Sequence, residues 1–434
     1  MQKILFRCML VVLGFAFYLQ PSVQAQDAPG DITPTDENIT LRFSMLQDPG
    51  EEGNVQRFID AFNEKYPNIK VVLEPIDSGN YEQRLILQAA SRTLPDLFWA
   101  SDQGVQVLGS RNLMLDLELY IAASNLDTSN FYQSMLDLGK VNGTQYMLPR
   151  DYNHLVTYYN ADMFKEAGVP LPKDGWTWQE FVDAATALTK KNADGVTTQY
   201  GVDGGNFNWW AIVVPAIRGF GGEVVTEDGE IVVDSPEAAA GVEALYDLVK
   251  KGVATNFAES DPETFINGQT AMWFHVRPLV QVINENAKDK FNWNVATFPA
   301  FPNEHRVGTG TSGYGIYAGT KHPNEAWALL SFIVSEEGQR IFSSTGNAVP
   351  VLKSLADDPV WTSVPREDLD YKAFTLYPEA DTLPLEPRLP AGAAGAVNTA
   401  RDTLMEEVML GTTTPAEMVS RWAEEIQQAV QQAQ

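Results

Sequence analysis

The chain has 434 residues, 44% hydrophobic and 20% charged, the profile of a folded globular protein too long for one compact core. A formal net charge of −27 repels phosphate backbones and anionic lipid, which argues against nucleic acid or a membrane surface as partner and leaves a neutral ligand open. The only cysteine is Cys8, so the rest of the chain has no disulfide, thiol nucleophile or thiolate metal site.

Residues 1–25 read as a secretory signal. Lys3 and Arg7 precede an apolar run, Met9–Leu19, and Val23-Gln24-Ala25 is a small-x-small cleavage site. The run is short for a membrane span, and a retained anchor is the alternative. The expectation is an exported protein, periplasmic or otherwise extracytoplasmic, with Gln26 as its first residue. Residues 26–38 are rich in Pro, Gly and acid and read as a flexible leader.

Strand-like alternation begins at Ile39–Met45. Val55, Phe58, Ile59 and Phe62 then mark one face of a helix over Asn54–Lys65. Pro67-Asn68 breaks it. Ile69–Leu73 is a second strand, Tyr81–Ser91 a second amphipathic helix and Asp96–Ala100 a third strand. This alternation predicts an α/β fold with a mainly parallel sheet covered by helices on both faces. Asn142-Gly143 reads as a tight turn rather than a glycosylation acceptor. Thr177 followed by Glu180 is a capping box, and Trp176 and Trp178 read as packing within their own domain. Ser235-Pro236 opens a helix that Lys250-Lys251-Gly252 closes, and Asp261-Pro262 opens a shorter one. Pro323–Val334 and Pro415–Val430 are the last strong helical segments.

Motifs for catalysis are missing. No two of His154, His275, His305 and His322 lie three or four residues apart, so no helical metal pair exists, and no metal or cofactor is expected. There is no nucleophile elbow and no phosphate loop. Gly308-x-Gly310-x-x-Gly313 matches the dinucleotide fingerprint, but a strand-like segment follows it instead of a helix, so it reads as a glycine-rich entry to a strand. What stands out is aromatic. Trp99 in "TLPDLFWASD" precedes Ser101-Asp102, Trp209-Trp210 follow Asn206-Phe207-Asn208, and Trp273 lies near His275 and Arg277. An indole face offers apolar area to the C–H face of a sugar ring, while carboxylates and amides bond its hydroxyls. A hydrogen bond to a charged group adds about 1.5–3 kcal/mol, so a few of them with one stacked ring supply the ~8 kcal/mol of micromolar affinity. Each of these Trp residues has packing in its own core as the competing role.

Six segments in order carry a family resemblance: "TLPDLFWASD", "VNGTQYMLPRDYNHLVTYYNADMFKEAGV", "GWTWQEFVDAATALT", "FINGQTAMWFHVRP", "GYGIYAGTKHPNEAWALLSFIVSEEGQ" and "GNAVPVLK". Together they resemble the extracellular solute-binding proteins of bacterial ABC sugar importers, the group that includes maltodextrin-binding proteins. The resemblance implies a two-lobed periplasmic-binding-protein fold of type II, with ligand in a hinged cleft. The implied lobes are residues 39–152 plus 294–335 and residues 153–293 plus 336–434. Crossings are implied near Arg150–Thr157, Asn292–Asn294 and Val334–Gln339. The implied partners are a carbohydrate and the membrane subunits of an ABC permease, with the chain acting as a monomer and not as an enzyme. A polyol or a glycerol or sugar phosphate is the alternative ligand, and a secreted carbohydrate-active enzyme the alternative class. The implied ligand contacts are Gln47 and Asp48 after the first strand, Trp99 and Asp102 after the third, and Asp151 and Asn153 in the crossing. Trp209, Trp210, Trp273 and Arg277 follow from the second lobe, with Tyr314 and Arg388 from later segments.

Overall fold

A computed structural model gives the fold; it describes residues 31–47, 49–77, 81–226, 228–256, 264–287, 289–303, 307–346, 348–376, 382–383, 389–390 and 393–433. The signal segment, and with it Cys8, lies outside the described residues, as do Asp48, Asp261–Pro262 and Arg388. The strands that matter here are β1 (Ile39–Leu46), β2 (Ile69–Ile76), β3 (Leu97–Ser101), β4 (Met147–Pro149), β5 (Asn153–His154), β6 (Val156–Asn160), β7 (Met272–His275), β8 (Trp293–Thr297), β9 (Val307–Gly310) and β10 (Ser312–Ile316). The helices that matter here are α1 (Pro49–Lys65), α2 (Tyr81–Ala90), α3 (Asp102–Gly109), α4 (Trp178–Leu188), α5 (Trp210–Gly219) and α6 (Pro236–Lys250). They continue as α7 (Leu279–Ala287), α8 (Pro323–Ile333), α9 (Glu336–Ser343), α10 (Ala394–Met409) and α11 (Pro415–Ala433).

The architecture is two α/β lobes. In the first, a five-stranded sheet runs in the order β2-β1-β3-β10-β4. β1 lies parallel to β2 and β3, as the strand–helix–strand alternation predicts, and β10 is antiparallel to both β3 and β4. Leu41, Phe43 and Met45 of β1 alternate into a core shared with Val55, Phe58, Ile59 and Phe62 of α1. The second lobe is built on β7-β6-β8, in which both outer strands are antiparallel to the central one. This departs from the expected mainly parallel sheet. The cause is the crossover: α7 joins β7 to β8 and makes those two parallel to each other, with β6 threaded between them in the opposite sense.

Several local expectations are met. The Thr177–Glu180 capping box is formed, and Ser235 caps α6 with Pro236 in its first turn. Asn142 and Gly143 both take positive φ between paired Val141 and Thr144. Trp176 donates to the Thr297 carbonyl, and Trp178 packs on Phe301, so both serve their own lobe. The leader differs from expectation. Residues 31–38 are tied to the first lobe: Thr35 N–H donates to Glu325, Asn68 donates to the Thr35 carbonyl, and Asn324 donates to the Asp31 carbonyl.

The crossings also differ in part. The outward crossing runs through β5 between β4 and β6, inside the expected Arg150–Thr157. The return is not at Asn292–Asn294, because Trp293–Thr297 is still a strand of the second sheet. It is β9, which pairs antiparallel with β5 through Thr309–His154 and Gly310–Asn153 before entering the first sheet as β10. Nor does the chain cross at Val334–Gln339. Only Val334 and Ser335 separate α8 from α9, too few residues to change lobes, and α9 packs on α1 with Phe342 in the first core.

The paired crossing strands are locked by polar groups. The Arg150 Nε donates to Asp151 at 3.2 Å, and the guanidinium lies against the rings of Tyr314 and Phe342. Thr311 donates to the Asp151 carbonyl, and Gln339 donates to that of Arg150. Asp151 is 2% exposed. Losing one partner of such a buried pair costs about 3–5 kcal/mol. Asp151→Ala is therefore expected to lower the unliganded unfolding free energy by about that amount in a denaturant titration; unchanged stability would return Asp151 to the ligand contacts.

Candidate functional site

The cleft site begins with β3. The C-terminal end of a parallel strand feeds a helix, and α3 starts immediately: Ser101 caps it by accepting from Gly104 N–H at 2.8 Å, and Asp102 is its first residue. An acid in the first helical turn is favoured by the helix dipole, so the turn holds the Asp102 carboxylate at the mouth of the sheet.

From the second lobe comes the loop before α5. Asp203 Oδ1 accepts from Gly205 N–H, Asn206 donates to the Phe274 carbonyl of β7, and Trp209 N–H donates to the Asn206 carbonyl. This ties the loop to the sheet and presents Asn208, Trp209 and Trp210 at the start of α5, where no side chain caps the first N–H groups. The two indoles meet edge to face, with centroids 5.8 Å apart.

A third wall comes from α10, a helix that was not anticipated. Asn398, Arg401 and Asp402 lie on it three and four residues apart and so share a face. Arg401 donates to Asn398 Oδ1 through Nη1 at 2.6 Å, and to Asp402 Oδ1 through Nε and Nη2 at 3.1 and 2.8 Å. Ser101, Asp102, Asn208, Trp209, Trp210, Asn398, Arg401 and Asp402 line one cavity of about 490 Å³, which is within the range of small-molecule sites.

β9 sets how closely these walls approach. A Cβ added at Gly310 would lie 3.2 Å from Trp210 Cη2 and 3.4 Å from Asp102 Oδ2, so the indole of one lobe and the carboxylate of the other converge on a residue with no side chain. A Cβ at Gly308 would lie 2.1 Å from the Ala211 carbonyl oxygen. Pro215, four residues on, has no N–H to offer that carbonyl. Gly308 and Gly310 thus serve close packing of β9 on α5, and Gly313 the approach of β10 to the Leu148 carbonyl of β4.

Of the residues expected in the site, the structure brings Asp102, Trp209 and Trp210 together. Gln47 is exposed at the end of β1, its N–H bonded to the Ile76 carbonyl. Asn153 pairs with Gly310, one ladder step from the site. Trp99 is beside the cavity but not in its lining; its ring meets Tyr81 edge-on at 5.4 Å, and it braces the strand that aims Asp102. Four expected contacts are placed in packing instead. Asp151 is in the hinge, as above. Tyr314 pairs across from Trp99 and is fully buried against Phe43. Trp273 is 7% exposed and lies between Phe265, Tyr158 and His275, because its side of β7 faces the core. Arg277 is fully buried and donates to the carbonyls of Gly346, Trp361 and Val364, which anchors the 346–364 segment.

Ser101, Asn208, Asn398, Arg401 and Asp402 also line the cavity and were not among the residues expected from sequence. For α10 a signal was present: Val397, Arg401, Leu404 and Val408 form one stripe, and a guanidinium on an otherwise apolar stripe needs a buried partner. His275 is a further neighbour, its ring 5.2 Å from Trp209. Its Nδ1 accepts from Val276 N–H, and burial pushes its pKa down to about 4. The ring is therefore neutral at pH 7 with its proton on Nε2, a donor beside the indole. Among the described residues, no group of three His, Cys, Asp or Glu could hold a metal ion, and no helix is long and apolar enough to cross a membrane.

A family model for bacterial extracellular solute-binding proteins matches residues 48–340. A binding protein of Brucella abortus (strain 2308) is 25% identical over 341 residues, covering 75% of this chain and 79% of the relative. The sn-glycerol-3-phosphate-binding periplasmic protein UgpB of Pectobacterium atrosepticum is 28% identical over 278 residues, 60% of each chain. Among solved structures, the ABC substrate-binding protein Lmo0181 from Listeria monocytogenes, in complex with cycloalternan, superposes with a TM-score of 0.78 at 23% identity, covering 90% of this chain and 98% of that one.

The division between site and core residues is measurable. Truncating a buried Trp costs about 3–5 kcal/mol, so Trp273→Ala should lose that much stability without ligand while Asp102→Asn stays within about 0.5 kcal/mol of wild type. Equal losses in chemical denaturation would contradict the assignment.

Proposed function

Since the chain belongs to the bacterial extracellular solute-binding proteins, we propose that it captures a sugar in the cleft described above and delivers it to the membrane subunits of an ABC importer. The observation that carries this reading is the meeting of Trp209 and Trp210 from one lobe with Asp102 from the other across a single cavity. Indole faces supply the apolar platform a pyranose ring needs, and Asp102, Asn208 and Asn398 supply hydrogen-bonding partners for its hydroxyls. Both lobes contribute, so ligand binds the closed arrangement better than an open one and shifts the population toward it. Domain closure of this kind in periplasmic binding proteins is a standard example of a hinge transition.

The export signal, its cleavage after Ala25 and a periplasmic location belong to the same reading, as does the chain's acting as a monomer that binds without catalysis. A second reading keeps the fold and replaces the sugar with a polyol or a glycerol or sugar phosphate. It draws on Arg401 in the cavity and on the likeness to a glycerol-3-phosphate-binding protein.

A thermal-shift screen with maltose, trehalose, glucose, glycerol, sn-glycerol 3-phosphate and glucose 6-phosphate tests the proposal. A ligand at a hundred times its dissociation constant adds about 2.7 kcal/mol, a readily visible shift. At least one sugar is expected to raise the melting temperature and to be recovered chemically intact, and Trp209→Ala or Trp210→Ala should abolish the rise. Release of a smaller sugar, or a rise that survives both variants, would contradict it.

A further inference from the structure

The α10 wall carries an unusual balance of charge. The groups with a formal charge that line the cavity are Asp102, Arg401 and Asp402, two carboxylates for one guanidinium. Each of the three guanidinium nitrogens of Arg401 already has an acceptor within the helix: Nε and Nη2 on Asp402 and Nη1 on Asn398. Arg401 is 4% exposed. A phosphate monoester entering here meets a guanidinium that a neighbouring carboxylate has neutralised, and a lining of net negative charge.

Asn398 shows what the cluster offers instead. Its Oδ1 is committed to Arg401, which fixes the amide orientation, and its Nδ2 is buried with no hydrogen-bond partner among the described residues. The residue is 9% exposed and lines the cavity. An amide N–H left without an acceptor in such a place carries a desolvation cost that a ligand oxygen would relieve.

We propose that Asn398, Arg401 and Asp402 form a charge-neutralised recognition cluster that presents the Asn398 amide to an oxygen of an uncharged polyhydroxylated ligand and excludes phosphate monoesters, with Asp402 as the excluding residue. This rests on the cleft being the binding site and selects between its two ligand readings. Asp402 is half-exposed, so removing its charge leaves the core of α10 intact while releasing the Arg401 donors toward the cavity. Like charges brought together in a binding site oppose association, and relieving that repulsion favours the anionic ligand.

The test is calorimetric titration of wild type, Asp402→Asn, Asp402→Ser, Asn398→Ala and the double variant Asp402→Asn/Arg401→Gln. The probes are maltose, trehalose, glucose and glycerol on one side and sn-glycerol 3-phosphate and glucose 6-phosphate on the other. Wild type is expected to bind an uncharged probe at least about tenfold more tightly than either phosphate. Asp402→Asn and Asp402→Ser should each gain about tenfold or more for a phosphate probe, and the double variant should lose that gain. Asn398→Ala should weaken the uncharged probe by about tenfold. A wild type that prefers glycerol 3-phosphate, or Asp402 variants that gain nothing, would overturn the proposal while leaving the cleft as the site. Uncharged binding that is untouched by Asn398→Ala, Trp209→Ala and Trp210→Ala together would overturn the cleft reading itself.

Discussion

The site depends on a side chain that is not there. Gly310 lies where Asp102 of the first lobe and Trp210 of the second converge, and a methyl group there would press on the Trp210 indole while touching the Asp102 carboxylate. Two positions earlier, Gly308 lets β9 lie directly on the Ala211 carbonyl of α5. With these approaches, groups of the two lobes come close enough to line one cavity. Packed interiors tolerate few voids and few overlaps, and at Gly308 the close approach is backbone against backbone, which no side-chain adjustment relieves.

Around that point each lobe is braced separately. Trp99, Tyr81 and Tyr314 stiffen the end of β3, so Asp102 is aimed by a strand with little freedom to move. On the other side, Asn206 ties the tryptophan loop to β7, while the buried Arg277 holds the carbonyls of Gly346, Trp361 and Val364, in a stretch that also pairs with the first lobe through Leu352 and Phe131. Between the lobes run the paired crossings β5 and β9, locked by Arg150, Asp151 and Thr311, with Thr382–Leu383 pairing beside β9 as a third strand. Rigid bodies joined at a narrow polar hinge are what closure on a ligand requires.

Much of the first lobe was legible in the sequence. β1, α1, β2, α2 and β3 all lie within a few residues of where hydrophobic periodicity put them, since each is a short local element with a clean apolar face. Strand direction in the second sheet was not legible. It is fixed by a crossover that passes over an intervening strand, which no local pattern records. The return crossing was misplaced for a related reason: Trp293–Thr297 looks like any core strand, and only its pairing with β6 assigns it to the second lobe. In the candidate site, the aromatics beside polar residues were singled out as a class, and burial divides them. Trp209 and Trp210 sit at a helix start facing the cleft, whereas Trp273 lies on a strand buried on both faces. Arg401 escaped notice because α10 begins in an Ala-Gly run with little amphipathic contrast. Its partner Asp402 is the adjacent residue, so no longer-range spacing advertised the pair.

Solution X-ray scattering on wild type and Gly310→Val, with and without the tightest-binding sugar, tests the dependence of binding on this approach most directly. Wild type should contract when sugar is added, and the valine, wedged between Trp210 and Asp102, should neither contract nor bind. A Gly310→Val protein that binds the same sugar and contracts as wild type does would contradict the account.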